Sequence, residues 1–148
     1  MTDTEATNQA VRAFHSLSGD DTVKLKDLNT RIQNHKGKWG VRRGGKEIAV
    51  NTIEMPWVQN DPLILEFITF IYEEGLTIVF DWKDWDEGEK LYESKDQTKY
   101  NNVDLETTLK LITAVIRQDR FADGSLAWAF ESGDFPKLAN RLVELSVV

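Results

Sequence analysis

The chain contains no cysteine. Disulfides, thiolate metal sites and cysteine nucleophiles are excluded together, and a reducing compartment fits. Histidine is scarce. His15 and His35 are the two present, and they fall in separate predicted segments. A histidine-based metal centre needs more ligands, unless carboxylates complete a mixed one. No apolar run approaches the ~20 residues that cross a bilayer. The first residues are polar and acidic and lack the basic and apolar regions of a signal peptide, so a soluble cytoplasmic protein is expected. Cations are outnumbered, 18 Lys and Arg against 25 Asp and Glu, for a net charge of −7, which opposes general binding to phosphate backbones. A nucleotide-binding glycine motif is missing: Gly37, Gly40, Gly44 and Gly45 lack the pattern and the following helix. Gly124-Ser125 lacks the rest of a nucleophile elbow. No cofactor is expected.

What is present suffices for a core. The chain has 148 residues, 41% of them apolar, with five tryptophans. That length suits one domain burying about 68–70% of its unfolded surface. Charge is uneven. Residues 36–47 carry Lys36, Lys38, Arg42, Arg43 and Lys46 against Glu47, a local +4, whereas residues 81–106 carry a local −5. A basic tip and an acidic flank are expected.

Residues 1–7 read as a frayed tail. Val11, Phe14 and Leu17 give a short helix over 8–17, and Val23, Leu25, Leu28 and Ile32 a second one to about 34. Trp39, Val41, Ile48, Val50 and Ile53 alternate with polar residues, which predicts strands near 39–43 and 46–51, with Gly44-Gly45 as the hairpin turn between them. Asp61 and Pro62 open a helix that is apolar on most sides and should be central, and Gly75 ends it. Residues 77–80 are β-rich and predict a third strand. Asp84 can cap a short helix, and residues 93–103 read as a loop. The expected fold is α+β: a helix-rich single domain over 1–148 with a small antiparallel sheet packed on one helical layer.

The last third organises the chain. Asp104 caps a helix over 105–118, where Leu105, Leu109, Ile112, Val115 and Ile116 recur at spacings of three and four. Arg117 and Arg120 fall on one side of its end, where cations are favoured. Asp119 can pair with either arginine or cap the segment after it. Phe121 should plug the corner, and Gly124 supplies a positive φ or a close backbone approach. Asp123 or Ser125 caps a short helix over 126–132, and Gly133 ends it. Asp134 caps a last helix striped with Phe135, Leu138, Leu142 and Leu145.

Arg117-Gln118-Asp119-Arg120-Phe121-x-x-Gly124, with Phe130-Glu131-Ser132-Gly133 and a Leu-rich end, resembles a family of small bacterial and phage-associated proteins of unknown function with an Arg-x-Asp-Arg-Phe-x-x-Gly core. Pro56-Trp57-Val58 and Phe80-Asp81-Trp82 match two further segments of that family. The resemblance covers roughly 55–143 and leaves the first fifty residues outside. It implies a shared fold and no particular reaction.

Three clusters are candidates for function. Asp81, Asp84 and Asp86 lie among further acids and can offer oxygen to a hard cation, but their spacing departs from an EF-hand loop. A solvated loop and helix start is the favoured reading of such a run, with Trp82 and Trp85 filling the core edge. Arg117, Asp119 and Arg120 form either an anion clamp or an ion-paired structural corner. Lys36, Lys38, Trp39, Arg42, Arg43 and Lys46 can hold a nucleic-acid strand, or belong to an ordinary solvated turn, which is the favoured reading.

No nucleophile–base pair or complete ligand set assembles from these residues. The favoured expectation is therefore a non-enzymatic binding protein that engages a protein partner or a second copy of itself, with Trp39, Arg42, Arg43, Trp82 and Trp85 as the candidate interaction surface. The resemblance adds a role as an inhibitor of host machinery. The alternatives are a metal-dependent enzyme, with Asp81, Asp84 and Asp86 on the metal and Arg117 and Arg120 on a phosphate, and nucleic-acid contact through 36–46. No membrane partner is expected.

Overall fold

The computed structural model describes residues 1–146. Its helices are α1 (Asp3–His15), α2 (Gly19–Gln33), α3 (Pro62–Glu73), α4 (Asp86–Glu93), α5 (Leu105–Gln118), α6 (Ser125–Glu131) and α7 (Asp134–Leu145). Its strands are β1 (Gly40–Arg43), β2 (Glu47–Ala49), β3 (Thr52–Ile53) and β4 (Trp57–Asn60). The fold is helix-rich α+β with a small antiparallel sheet, as the residue pattern predicts.

Local chemistry sets most helix ends. Thr2 and Glu5 make a reciprocal capping box on α1. This box, with the buried Ala6 and Thr7, starts the helix at Asp3, so residues 1–7 are not a frayed tail. Ser18 caps α2 and Asp104 caps α5, each accepting a backbone N–H three residues on. Asp61 caps α3 through the Leu63 N–H, and Pro62 occupies the first turn. Gly75, at φ +70°, closes α3 with the paired bonds Gly75 N–H to Tyr72 O and Leu76 N–H to Ile71 O.

α5 is the central helix. It packs on α6 and α7 and also meets α1 and α4, while α2 bridges α3 and α7. Leu109, Leu111 and Ile112 of α5 are buried with Phe67, Phe70 and Ile71 of α3 and Phe135, Leu138 and Leu142 of α7. Each such side chain contributes about 1.5–3 kcal/mol by leaving water. An aromatic column runs through this core: Trp39 on Phe130 at 4.7 Å, Phe130 stacked on Phe135 at 4.3 Å, and Phe135 edge-on to Phe67 at 5.6 Å.

β1 and β2 lie where the alternation places strands, but they do not pair with each other, and β3 and β4 fall where no strand is expected. β1 pairs with β4, in the register Gly40↔Asn60 to Arg43↔Trp57, and β2 pairs with β3. Residues 40–60 are therefore one long hairpin. Its turn is at Val50-Asn51, where Asn51 has φ +62°, and not at Gly44-Gly45. The two glycines instead carry the chain through a kink. A Cβ on Gly44 would lie 2.3 Å from the Met55 carbonyl oxygen. Pro56, opposite the kink, has no N–H to continue the ladder. Met55-Pro56-Trp57 thus stays within the hairpin and does not leave the sheet. The predicted third strand at 77–80 is absent. Leu76 and Ile78 anchor an extended segment in the core, and the Ile78 N–H donates to the Thr113 hydroxyl on α5 at 3.1 Å. No strand edge lies there to pair with.

Candidate functional site

The hairpin base is fixed to the α5–α6 corner. Asp123 Oδ2 accepts the Val58 N–H at 3.0 Å. Val58 also packs so closely on Gly124 that a Cβ there would sit 3.0 Å from it, and Gly124 has φ +91°. Both properties considered for this glycine, the positive φ and the close approach, are present. On β1, a Cβ at Gly40 would meet Ala127 at 2.7 Å, so the base lies flat on α6.

Beyond this base the hairpin becomes an arm that buries nothing. Ile48, Val50, Ile53, Met55 and Trp57 are all exposed, Val50 at 85%. The alternation that predicts a core-facing strand therefore leaves apolar side chains uncovered on both faces of the arm: Ile53 pairs with Glu47, whereas Ile48 falls at the bulge opposite Thr52. Asn51, a residue tolerant of positive φ, was the local signal for a tip at its centre. Arg42, Arg43, Gly44, Lys46, Glu54 and Trp57 border a shallow concavity toward the base of the arm. Arg43 Nε donates to Gln59 Oε1 at 2.8 Å. Among the described residues, Arg42, Arg43 and Lys46 have no ion-pair partner.

Trp39 is not on this surface. It is 7% exposed, and its ring stacks on His35 at 3.6 Å. His35 Nε2 lies 3.1 Å from Asp61 Oδ2. Burial opposes the ionisation of Asp61, yet the Leu63 N–H and His35 outweigh it and hold the carboxyl below the ordinary value. Sequence reasoning missed this clamp, which joins the end of α2 to the start of α3.

The corner itself differs from expectation. Phe121 is no plug: it is 69% exposed, with Lys83 Nζ 4.0 Å from its ring centroid and Trp82 6.0 Å away. Asp119 pairs with neither arginine. Its Oδ1 accepts the Leu126 N–H at 3.1 Å and caps α6 from outside, because the N-cap residue is Gly124 and has no side chain. The caps considered at Asp123 and Ser125 are not used. Arg117 is half-buried and its Nε meets no acceptor, while Arg120 is exposed.

Trp82 and Trp85 line a cleft of about 350 Å³ between the segment 82–93 and α5. Tyr92, Leu111, Ala114 and Val115 form the rest of its apolar wall, and Glu89 and Glu93 lie along it. Trp85 lies flat over the α4 backbone: a Cβ on Gly88 would be 2.1 Å from its ring. Asp84 does not cap α4, whose N-cap is Trp85 with no side-chain bond. It faces Asp81, and that contact, with Asp86 beyond, holds its carboxyl above the ordinary value. Asp81, Asp84, Asp86, Arg117 and Arg120 do not line the cleft. Among the described residues, no three His, Asp or Glu side chains converge as a ligand set, and no helix is long and apolar enough to cross a membrane.

The loop 93–103 holds a second unforeseen group. Lys99 Nζ bonds Asp134 Oδ1 at 2.8 Å and the carbonyls of Tyr92 and Ser94, and Tyr100 donates its hydroxyl to the same Asp134 oxygen at 3.0 Å. Burial, then the Asp134 charge, push Tyr92 up to about 12 and raise Tyr100 further. Asp134 thus serves this loop, and Gly133, at φ +92°, stands at the N-cap of α7.

No curated protein and no solved structure matches the chain. A family model does, over residues 18–147. The match begins at Ser18 and so takes in α2 and the arm, well ahead of the 55–143 span of the resemblance. The chain belongs to the family of unknown function DUF6508.

Proposed function

We propose that this protein acts by binding another protein, and that the arm over 40–60 is the docking element. The observation that carries the reading is the set of exposed apolar side chains, Ile48, Val50, Ile53, Met55 and Trp57, on one hairpin with no cover. Such side chains add nothing to the stability of an isolated copy, and an unusual concentration of exposed apolar surface marks interaction sites. Unpaired Arg42, Arg43 and Lys46 at its base select an acidic partner surface. These side chains are mainly aliphatic, which suits a protein partner better than nucleic acid, where stacking aromatics are wanted. The enzyme reading has less support, because its three aspartates and two arginines stand outside the cleft. A cytoplasmic setting follows from the missing cysteines. An inhibitor of bacterial host machinery, bacterial or phage-borne, follows from the resemblance.

The test compares the protein with its Ile48→Ser/Val50→Ser/Ile53→Ser variant. A partner captured from bacterial lysate is purified, and its affinity for both is measured by calorimetry. The reading expects a loss of tenfold or more in the variant with an unchanged circular dichroism spectrum. Equal affinity for both would overturn it.

A further inference from the structure

We propose that the arm of one copy docks in the α4–α5 cleft of a second copy, so that the protein associates with itself through these two surfaces. This rests on the reading of the arm as a docking element and supplies its partner.

Each surface holds what the other lacks. The arm presents aliphatic side chains at its tip and, toward its base, Arg42, Arg43 and Lys46 without ion-pair partners among the described residues. The cleft is walled by Trp82, Trp85, Tyr92, Leu111 and Val115 and lined by Glu89 and Glu93. The two glutamates are one helical turn apart on α4, and neither is ion-paired among the described residues. Asp86 and Glu87 extend the negative charge along the same helix. Lys83, the cation at the cleft, is turned toward Phe121 at 4.0 Å. At about 350 Å³ the cleft falls within the ~300–1,000 Å³ of functional pockets. It has room for Met55 or Trp57, the exposed apolar side chains nearest the arginines on the arm, while the arginines meet the glutamates at its edge.

The placement of the two surfaces favours exchange. The cleft ends at Trp82, Lys83 and Gln118, beside Phe121. The arm is anchored two residues further on, through Asp123 and Gly124. Both surfaces therefore start at the α5–α6 corner, and the exposed Phe121 lies between them. A two-fold axis near this corner lets each copy give an arm and receive one. Contacts that do not close propagate as a chain. Nucleic acid fits the arginines but not the acid-lined cleft, and a metal ion fits neither surface.

Sedimentation velocity from micromolar to near-millimolar concentration tests the proposal, with Glu89→Arg/Glu93→Arg as the cleft variant and Arg42→Glu/Arg43→Glu as the arm variant. The wild type is expected to associate as concentration rises. Each variant alone sets like charges against like and should weaken association at least tenfold. Mixing the two variants makes both contacts complementary again and should restore association between unlike copies. Met55→Asp, at an exposed position, should weaken association without a charge exchange and covers any misfolding of the double variants. A wild type that stays monomeric, or association that the variants leave intact, overturns the proposal. A monomer that binds a different protein through its arm does so too, while the docking reading stands.

Discussion

The Asp119 carboxylate accepts the backbone N–H of Leu126 at 3.1 Å, seven residues on, and binds neither neighbouring arginine. A residue flanked by cations thus acts as the missing N-cap of α6. Asp119→Ala should destabilise the fold by about 1 kcal/mol, the usual worth of a cap, with Asp119→Asn closer to wild type. Arg120→Ala, which removes only an exposed side chain, should stay within about 0.5 kcal/mol. Urea midpoints of the three variants check this. An Arg120→Ala cost equal to that of Asp119→Ala would mean that the corner is ion-paired after all.

Lys99 and Asp134 form the most enclosed ion pair among the described residues, with side chains 8% and 19% exposed. Removing one partner strands the other, so Lys99→Ala should cost about 3 kcal/mol. The Lys99→Met/Asp134→Leu double variant should cost less than the sum of its single changes, with a coupling of about 1–3 kcal/mol in a double-mutant cycle. The same cluster fixes an alkaline limit. Tyr92 and Tyr100 hold their protons to higher pH when folded than when unfolded, where tyrosine titrates near 10. Above that value the unfolded chain binds fewer protons, so stability falls as pH rises. The contribution is intact below about pH 10 and is lost through about 12 for Tyr92, continuing above for Tyr100. Tyr100→Phe should flatten the decline in urea midpoint.

What the sequence makes legible is what short-range chemistry determines. Asp104 and the stripe of α5, Asp61-Pro62 and Gly75 around α3, and Gly133 before α7 are all decided within one or two helical turns. Strand pairing is not. The alternation of Ile48, Val50 and Ile53 reads identically whether the side chains face a core or water, and only the folded arm, on which all three are exposed, shows that they face water. Tyr100 and Asp134 are 34 residues apart, beyond any periodic pattern. At the candidate site, the basic charge of the arm and the two cleft tryptophans were readable. The burial of Trp39 and the exposure of Phe121 were not, because each depends on which distant helix lies over it.

Gly88 offers a test in which the usual sign reverses. Glycine to alanine inside a helix ordinarily gains up to about 1 kcal/mol. Here the new methyl would meet the Trp85 ring at 2.1 Å, and that ring is already held edge-on to Phe80 at 5.4 Å. Gly88→Ala should therefore cost about 1–3 kcal/mol, as overpacking does, and should shift tryptophan fluorescence. Gly19→Ala, at the open first position of α2 with nothing within 4 Å, should instead gain about 0.4–1 kcal/mol. Both are read from urea midpoints, and a stabilising Gly88→Ala would show that Trp85 does not lie over α4.

The arm separates a protein partner from a nucleic acid by its response to salt. Lys36, Lys38, Arg42, Arg43 and Lys46 can neutralise a few phosphates, and counterion release makes such binding fall steeply as salt rises. The whole chain carries −7, so a polyanion approaching the arm is repelled over a Debye length of about 8 Å near 150 mM salt. The exposed apolar side chains of the arm find no counterpart on a phosphate backbone. Binding to single- or double-stranded oligonucleotides should therefore be weak at low salt and absent by about 150 mM. Association through the arm with a protein surface should persist there, since burial of Ile48, Val50 and Ile53 strengthens with excluded salts and is not screened. Fluorescence anisotropy across a salt series, beside Arg42→Glu/Arg43→Glu, provides the measurement. Micromolar binding to an oligonucleotide that survives about 150 mM salt and vanishes in the variant would assign the arm to nucleic acid.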